Sequence, residues 1–363
     1  MWGILRNGTF HKGSGKNSPG GLLYNTCMLR AKKVYGDPLP ADISDRLEYE
    51  LKIIRETGND VRILKNAMRI RDMQVHSWEY MPRGPMSNLL VSYLMGLSGD
   101  INPVTYDLPA EIYLENLPKN GMRHVMMVQS SKGRDFLRKL CASDRELAET
   151  NMKSKGDSYI YKDELGTIIS DCSMDRLSAI VDESNALMST PSFDDREVPV
   201  AFIIPNVKDL IQKGIFARGE NADYLEELLD EYPIESFYDL VRVIGFLHGT
   251  EQNQEKLLWW LRYGDVSEKW IPSSRDDVYR IFLSKCFNDK KAATEIDCMC
   301  REILKNGWNR YPVDKQFRDY FLPENLMECL SDLGMMLYHP RADDVAVALL
   351  YWRLAYYYEN GGV

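Results

Sequence analysis

The segment MPRGPMSNLL, residues 81–90, contains residue types that can bind a phosphate group. A phosphate cradle needs several backbone N–H groups that converge at the start of a helix, which favours glycine and small hydroxyl residues. Arg83 can add a bidentate grip on phosphate oxygens, whereas Pro82 and Pro85 each remove an N–H donor. From these residues alone we favour a loop before a helix, with a solvent-facing arginine, over a phosphate site.

Cysteine is another residue type that can do chemistry. The seven cysteines are an odd number scattered along the chain, which is typical of reduced cytosolic thiols. Cys298 and Cys300 form a Cys-x-Cys pair, but no second pair lies at zinc spacing. We therefore expect neither a metal at this pair nor a resident cofactor.

Length and charge bound the class of protein. A chain of 363 residues with 44% hydrophobic content can bury a sizeable core and is expected to form two lobes. A net charge of −9 excludes a uniformly basic surface but not a local basic groove. The first 36 residues are basic without any Asp or Glu, whereas residues 220–235 are acidic without any base.

Membrane and secretion signals are weak. The longest apolar runs, such as VAVALLYW at 345–352, are far shorter than a membrane span. The first ten residues lack the apolar stretch of a signal peptide. We expect a cytoplasmic protein without a membrane partner.

The amino-terminal half mixes helix and strand patterns. Residues 6–21 are rich in Gly, Ser and Asn, so we expect a flexible basic arm over 1–21. A helix that ends near Gly58 is predicted by four apolar residues at helical spacing. They are Ile43, Leu47, Leu51 and Ile54. The pattern also predicts a buried helix over 89–97 and strands over 111–117 and 123–129.

The carboxyl-terminal half is predicted to be helical after Pro205. A lobe boundary is expected within the polar segment 142–199. One apolar stripe begins at Ala222 and another at Phe237. The further helices are predicted over 275–286, 290–305, 324–338 and 343–358. An aromatic stripe of Val345, Leu349 and Trp352 indicates a core position in the last of these helices.

Five stretches, in this order, resemble the Gram-positive-type DNA polymerase III alpha chain, the PolC branch of the C-family polymerases. They are RAKKVYGDPLPADISDRLEYELK, MPRGPMSNLLVSYLMGLSGDINPV, YLEELLDEYPIESFYDLVRVIGFLHGT, SRDDVYRIFLSKC and HPRADDVAVALLYWRLAYYY. The resemblance spans roughly 30–358 and implies a shortened, divergent relative of the palm and fingers regions. The fold it implies is α+β, with a palm-like domain over 22–198 and a helical, fingers-like domain over 199–363.

The resemblance also implies a nucleotide-binding loop. In that family, a Gly-Ser-Arg-Gly-Ser-x-Gly-Ser-Ser loop holds the triphosphate. Here only Arg83, Gly84 and Ser87 remain as a phosphate-binding remnant, together with Arg341 at the position of the lysine in the family's Lys-Ala-His. The loop therefore resembles a phosphate-binding element by descent and a structural turn in its present chemistry.

The metal site that the resemblance implies is also altered. Polymerases hold two divalent cations with carboxylates on adjacent strand positions. In that family these carboxylates lie in the motif Pro-Asp-Ile-Asp-Leu. The best counterpart in this sequence, PAEIYLE, places Glu111 and Tyr113 there, and a tyrosine is a poor Mg²⁺ ligand. By order along the chain, Asp171 and Asp175 are the nearest candidates for a third carboxylate.

The fingers region keeps one family motif and changes another. His248, Gly249 and Thr250 match the end of Leu-Ser-His-Gly-Thr, although a lone histidine is more often a core residue than a catalyst. Asp343 replaces the histidine of Lys-Ala-His and is followed by Asp344. A carboxylate facing the nucleotide would repel its phosphates.

Three functions remain open from the sequence. The leading hypothesis is a pseudoenzyme that binds DNA or replication proteins. An alternative is a minimal DNA polymerase or nucleotidyltransferase that uses Mg²⁺ through Glu111. A third is a mobile-element or phage protein that mimics the host polymerase.

Overall fold

The computed structural model describes residues 18–73, 81–115, 117–129, 139, 152–155, 158–162, 167–172, 222–286, 288–306, 323–334 and 339–359. The chain divides into two compact units. The first comprises Met1–Val128 and Lys132–Asp171, and the second comprises Gln129–Ser131 and Cys172–Val363. Most described residues are helical and a small sheet accompanies them, which confirms the α+β class. The palm and fingers arrangement remains a prediction.

Three long helices form the core of the first unit: α1 (Pro19–Tyr35), α2 (Ala41–Glu56) and α3 (Asp60–Met73). The Ser18 hydroxyl caps α1 by accepting a hydrogen bond from the Gly21 N–H at 3.1 Å. This helix begins within the range predicted to be an arm, while residues 1–17 lie outside the described residues. The four apolar residues of α2 are all buried, as predicted, and Gly58 follows this helix at φ +70°.

The sheet has five strands in the order β1-β2-β5-β4-β3. They are β1 (Met81–Arg83), β2 (His124–Gln129), β3 (Met152–Lys155), β4 (Ser158–Lys162) and β5 (Thr167–Cys172). β1 and β2 are antiparallel and place Arg83 opposite Val125. The predicted strand over 123–129 is confirmed.

Two short helices complete the first unit. The predicted buried helix over 89–97 is confirmed as α4 (Leu90–Met95). The strand predicted over 111–117 is wrong, because the structure has a helical turn there, α5 (Glu111–Leu114). The Ala110 carbonyl accepts hydrogen bonds from the N–H groups of Tyr113 and Leu114, both at 3.1 Å. A single turn that buries Ile112 and Leu114 has the same alternating pattern as a short strand, so the sequence did not separate the two.

From Ala222 onwards, the described part of the second unit is mainly helical, as predicted. Its helices are α6 (Ala222–Glu231), α7 (Phe237–Phe246), α8 (Glu251–Tyr263), α9 (Arg275–Lys285), α10 (Lys290–Asn306), α11 (Glu324–Leu333) and α12 (Arg341–Glu359). Cys298 and Cys300 lie in α10. The predicted continuation of α11 over 335–338 lies outside the described residues.

Polar caps and one aromatic contact fix the helices of this unit. Thr250 and Asn253 form a reciprocal capping box at the start of α8. Trp352 is 1% exposed, and its ring lies edge-to-face with Phe237, with the ring centroids 5.4 Å apart. The predicted core stripe of α12 is therefore confirmed. None of the described helices is long and apolar enough to cross a lipid bilayer.

Candidate functional site

The turn after β1 has a backbone that requires glycine. Gly84 has φ +80° and ψ −176°, a conformation that side-chain-bearing residues rarely adopt. A short 3-10 helix, Pro85–Asn88, follows and leads into α4. Within it, the Ser87 N–H donates to the Gly84 carbonyl at 3.0 Å, and the Ser87 side chain is buried.

The first N–H groups of α4 are bound by the protein's own carboxylate. Glu50 in α2 is fully buried and accepts hydrogen bonds from the N–H groups of Leu90 and Val91, at 3.0 and 2.8 Å. Arg46 donates to Glu50 at 3.0 Å and also to the Asn88 carbonyl at 2.8 Å. A helix start of this kind attracts anions, so Glu50 occupies the position of a helix-bound anion.

The pKa of Glu50 reflects two opposing effects. Burial is the larger one and raises the pKa, since a carboxylate loses hydration in the core. Arg46 and the two backbone N–H groups act in the opposite direction, and the pKa remains above its ordinary value.

Tyr113 and the 3-10 helix line the same cleft. Its volume is about 360 Å³, and its walls include Pro85, Met86, Tyr113, Arg123 and Val125. The cleft is mainly apolar.

Glu111 lies two residues from Tyr113 in α5. Residues i and i+2 of a helix do not face each other, so these two positions cannot reproduce paired ligands on a strand. Glu111 accepts a hydrogen bond from the Ala110 N–H at 3.1 Å. Burial first, and then the nearby Glu111 and Glu115, raise the pKa of Tyr49 to about 12.

The strand that pairs with Arg83 is β2. Residues 122–129 have the sequence MRHVMMVQ and include no Asp or Glu. β5 is the other neighbour of β2 in the sheet and contains Asp171. Asp175 lies outside the described residues.

In the second unit, Arg341 begins α12 and is 2% exposed. Its guanidinium donates to Asp277 at 2.7 Å and lies over the Tyr238 ring, 4.3 Å from the ring centroid. Its backbone N–H donates to Asp276 at 2.9 Å. Although burial opposes ionisation of Asp277, Arg341 and then Arg280 lower the pKa of that carboxyl to about 2.

His248, Gly249 and Thr250 connect α7 to α8. Gly249 has φ +101°, and Thr250 caps α8. The His248 Nε2 lies 3.3 Å from one carboxylate oxygen of Asp344, and the His339 Nε2 lies 2.9 Å from the other. The two imidazole rings are stacked, with their centroids 3.9 Å apart.

Asp344 is completely buried, and Asp343 is 6% exposed. Burial opposes the charge of Asp344, but His339 and His248 lower its pKa below the ordinary value. Asp344 therefore faces the imidazoles inside this unit.

Sequence reasoning missed several of these residues. Glu50 interrupts the apolar stripe of α2 between Leu47 and Leu51, and a charge on a core stripe signals a buried partner. His339 carried no such signal, and the contact of Asp344 with His248 was not predicted, because these residues are distant in sequence.

One comparison with known proteins matches a segment of the first unit. Residues 21–120 match the family model described as the bacterial DNA polymerase III alpha NTPase domain. The chain is also 35% identical over 75 residues to "DNA polymerase III PolC-type" of Mycoplasma pneumoniae (strain ATCC 29342 / M129 / Subtype 1). That match covers 21% of this chain and 5% of the relative's length. Both matches support a relation to the DNA polymerase III alpha family.

Proposed function

We propose that this chain is a catalytically degenerate relative of the palm and fingers of PolC-type DNA polymerase III alpha chains. In this proposal it acts as a module that binds nucleic acid or replication proteins. The observation that carries the loss of catalysis is the helical turn α5, which contains Glu111 and Tyr113. Two-metal catalysis needs carboxylates that face the same ions, whereas only one of these two residues is a carboxylate and positions i and i+2 of a helix do not face each other.

The phosphate-binding remnants support the same proposal. Two N–H groups at the start of α4 already bind Glu50. The Arg341 guanidinium is buried and paired with Asp277. Binding a triphosphate with these groups would require breaking both internal arrangements, at a cost of several kcal/mol for the buried ion pair.

Exposed aromatic residues support the binding role. Trp259 and Tyr263 lie one turn apart on α8 and are 51% and 72% exposed, with their ring centroids 6.5 Å apart. Such a pair offers a stacking platform for bases or an aromatic anchor for a protein.

DNA binding tests the proposal. Fluorescence anisotropy at low salt should detect binding of primed or single-stranded DNA, and Trp259→Ala should weaken it about tenfold or more, since base stacking on an aromatic ring contributes about 1–3 kcal/mol. Glu255→Ala, an exposed residue of the same helix, is the matched control. The binding role fails if neither DNA binds and cross-linking in the native host finds no replication protein.

One observation favours the enzymatic alternative. β5, which neighbours β2, contains Asp171, and Glu111 is in the same unit. A minimal nucleotidyltransferase that uses them would incorporate nucleotides with Mg²⁺, and either Asp171→Asn or Glu111→Gln would abolish that activity.

A further inference from the structure

We propose that His248, His339 and Asp344 form a binding site for a divalent transition-metal ion, Zn²⁺ in particular. Within the described part of the chain, one ligand atom from each of these residues lies within 4.8 Å of the other two. Two imidazoles and one carboxylate are a common protein ligand set for Zn²⁺. The inference does not depend on the proposed function.

The spacing of the ligand atoms fits an ion. Zn²⁺ binds nitrogen and oxygen at about 2.0–2.2 Å, so neighbouring ligands of a tetrahedral site lie roughly 3.3–3.5 Å apart. The His339 Nε2 lies 2.9 Å from one oxygen of Asp344, and the His248 Nε2 lies 3.3 Å from the other. One ligand atom from each residue lies within 4.8 Å of the other two, so a tetrahedral site requires these atoms to approach one another by up to about 1–1.5 Å. The stacked imidazoles must also rotate so that both Nε2 lone pairs point at the ion.

Two arginines near the site form ion pairs with carboxylates other than Asp344. Arg341 pairs with Asp277 at 2.7 Å, and Arg275 pairs with Asp297 at 2.7 Å. Both oxygens of Asp344 face imidazole nitrogens instead. When an ion binds, each neutral imidazole carries its proton on Nδ1, so that the Nε2 lone pair binds the metal.

Access to the site is from the side of His248. This side chain is 36% exposed, whereas His339 is 12% exposed and Asp344 is fully buried. An ion can thus enter from solvent and keep a water as its fourth ligand, the arrangement that is usual for sites with three protein ligands.

The elements that hold the ligands are capped and packed helices. His248 follows α7, whose neighbour α8 is fixed by the capping box of Thr250 and Asn253. Asp344 lies in the first turn of α12, and the backbone carbonyl of His339 accepts a hydrogen bond from the Arg275 N–H at 3.2 Å. Helix ends therefore flank each ligand, so that binding an ion needs movement of the side chains more than of the helices.

The test is a titration of the full chain, stripped with a chelator, with Co²⁺ and then Zn²⁺. We expect visible absorption bands of Co²⁺ bound by nitrogen and oxygen, with one equivalent displaced by Zn²⁺. Asp344→Asn and His339→Ala should each weaken Zn²⁺ binding at least about tenfold. Cys298→Ser and His11→Ala should bind as the wild type does.

Proton NMR of the Co²⁺-loaded wild type gives a readout that needs no variant. Two strongly shifted, exchangeable imidazole N–H signals are expected, one from each histidine. Absence of a saturable site, binding unchanged in a folded Asp344→Asn variant, or thiolate charge-transfer bands that disappear in Cys298→Ser would each overturn the proposal. The three side chains would then be a hydrogen-bonded cluster only.

Discussion

At the scale of single residues, the buried side chain of Glu50 connects α2 to α4 through hydrogen bonds. Its side chain leaves the apolar face of α2 and accepts the first N–H groups of α4, while Arg46 neutralises its charge. A buried carboxylate is stable only with such partners. The same residue fixes the start of α4 and fills the anion position there.

Replacing Glu50 with alanine should destabilise the protein. Two backbone donors and Arg46 would lose their acceptor, and we expect a loss of roughly 2–3 kcal/mol in the free energy of unfolding. Urea unfolding measures this difference. Glu48→Ala changes an exposed residue of the same helix and should cost less than about 0.5 kcal/mol. Equal effects of the two variants would contradict the capping role.

The ion pair of Asp277 and Arg341 predicts a pH dependence. The pKa of Asp277 is about 2 in the folded protein, against about 3.9 in an unfolded chain. The stabilisation is therefore complete above about pH 4 and is lost as the pH falls towards 2, a difference of roughly 2–3 kcal/mol.

Asp277→Asn tests this assignment in unfolding experiments between pH 2 and 7. It should cost about 3–5 kcal/mol at pH 7, because Arg341 remains buried without its counter-charge, and it should flatten the acid-side slope. Asp265→Asn, at an exposed position, should keep the slope of the wild type. An unchanged slope in Asp277→Asn would show that other carboxyls cause the acid sensitivity.

At the scale of elements, α7 and α12 pack through Phe237 and Trp352. Trp352→Ala should cost about 3–5 kcal/mol, because it leaves a large cavity. The indole N–H has no hydrogen-bond partner among the described residues, so Trp352→Phe should cost less than about 1.5 kcal/mol. Trp259→Ala, at an exposed position, should cost under about 1 kcal/mol in the same thermal unfolding experiment. A small effect of Trp352→Ala would contradict the core assignment.

Long amphipathic helices such as α2 and α12 were predictable, since each repeats its pattern over several turns. The single turn α5 was not, because a few alternating residues fit a strand equally well. The metal-site geometry was not predictable either. The side chains of His248, His339 and Asp344 come into contact only because their helices pack together. No local sequence pattern predicts that contact.

At the scale of the whole molecule, the amino-terminal arm carries a prediction. Residues 1–17 precede the Ser18 cap of α1 and include basic residues but no acid. Deleting them should leave the melting temperature nearly unchanged and weaken DNA binding, more so at low salt. Deleting residues 1–21 should lower the melting temperature, because it also removes the cap and the first turn of α1. A large loss of stability from the shorter deletion would show that the arm is packed.

The loss of nucleotidyl transfer is the central claim for the whole chain, and primer extension tests it most directly. With primed DNA, all four nucleotides and either Mg²⁺ or Mn²⁺, the wild type should incorporate nothing measurable. Tyr113→Asp alone should not rescue activity, because positions 111 and 113 of α5 do not face each other and the first N–H groups of α4 still bind Glu50. Incorporation by the wild type would contradict the claim if Arg83→Ala or Glu111→Ala abolished it. Lys52→Ala, a change at an exposed position, is the control and should then retain the activity.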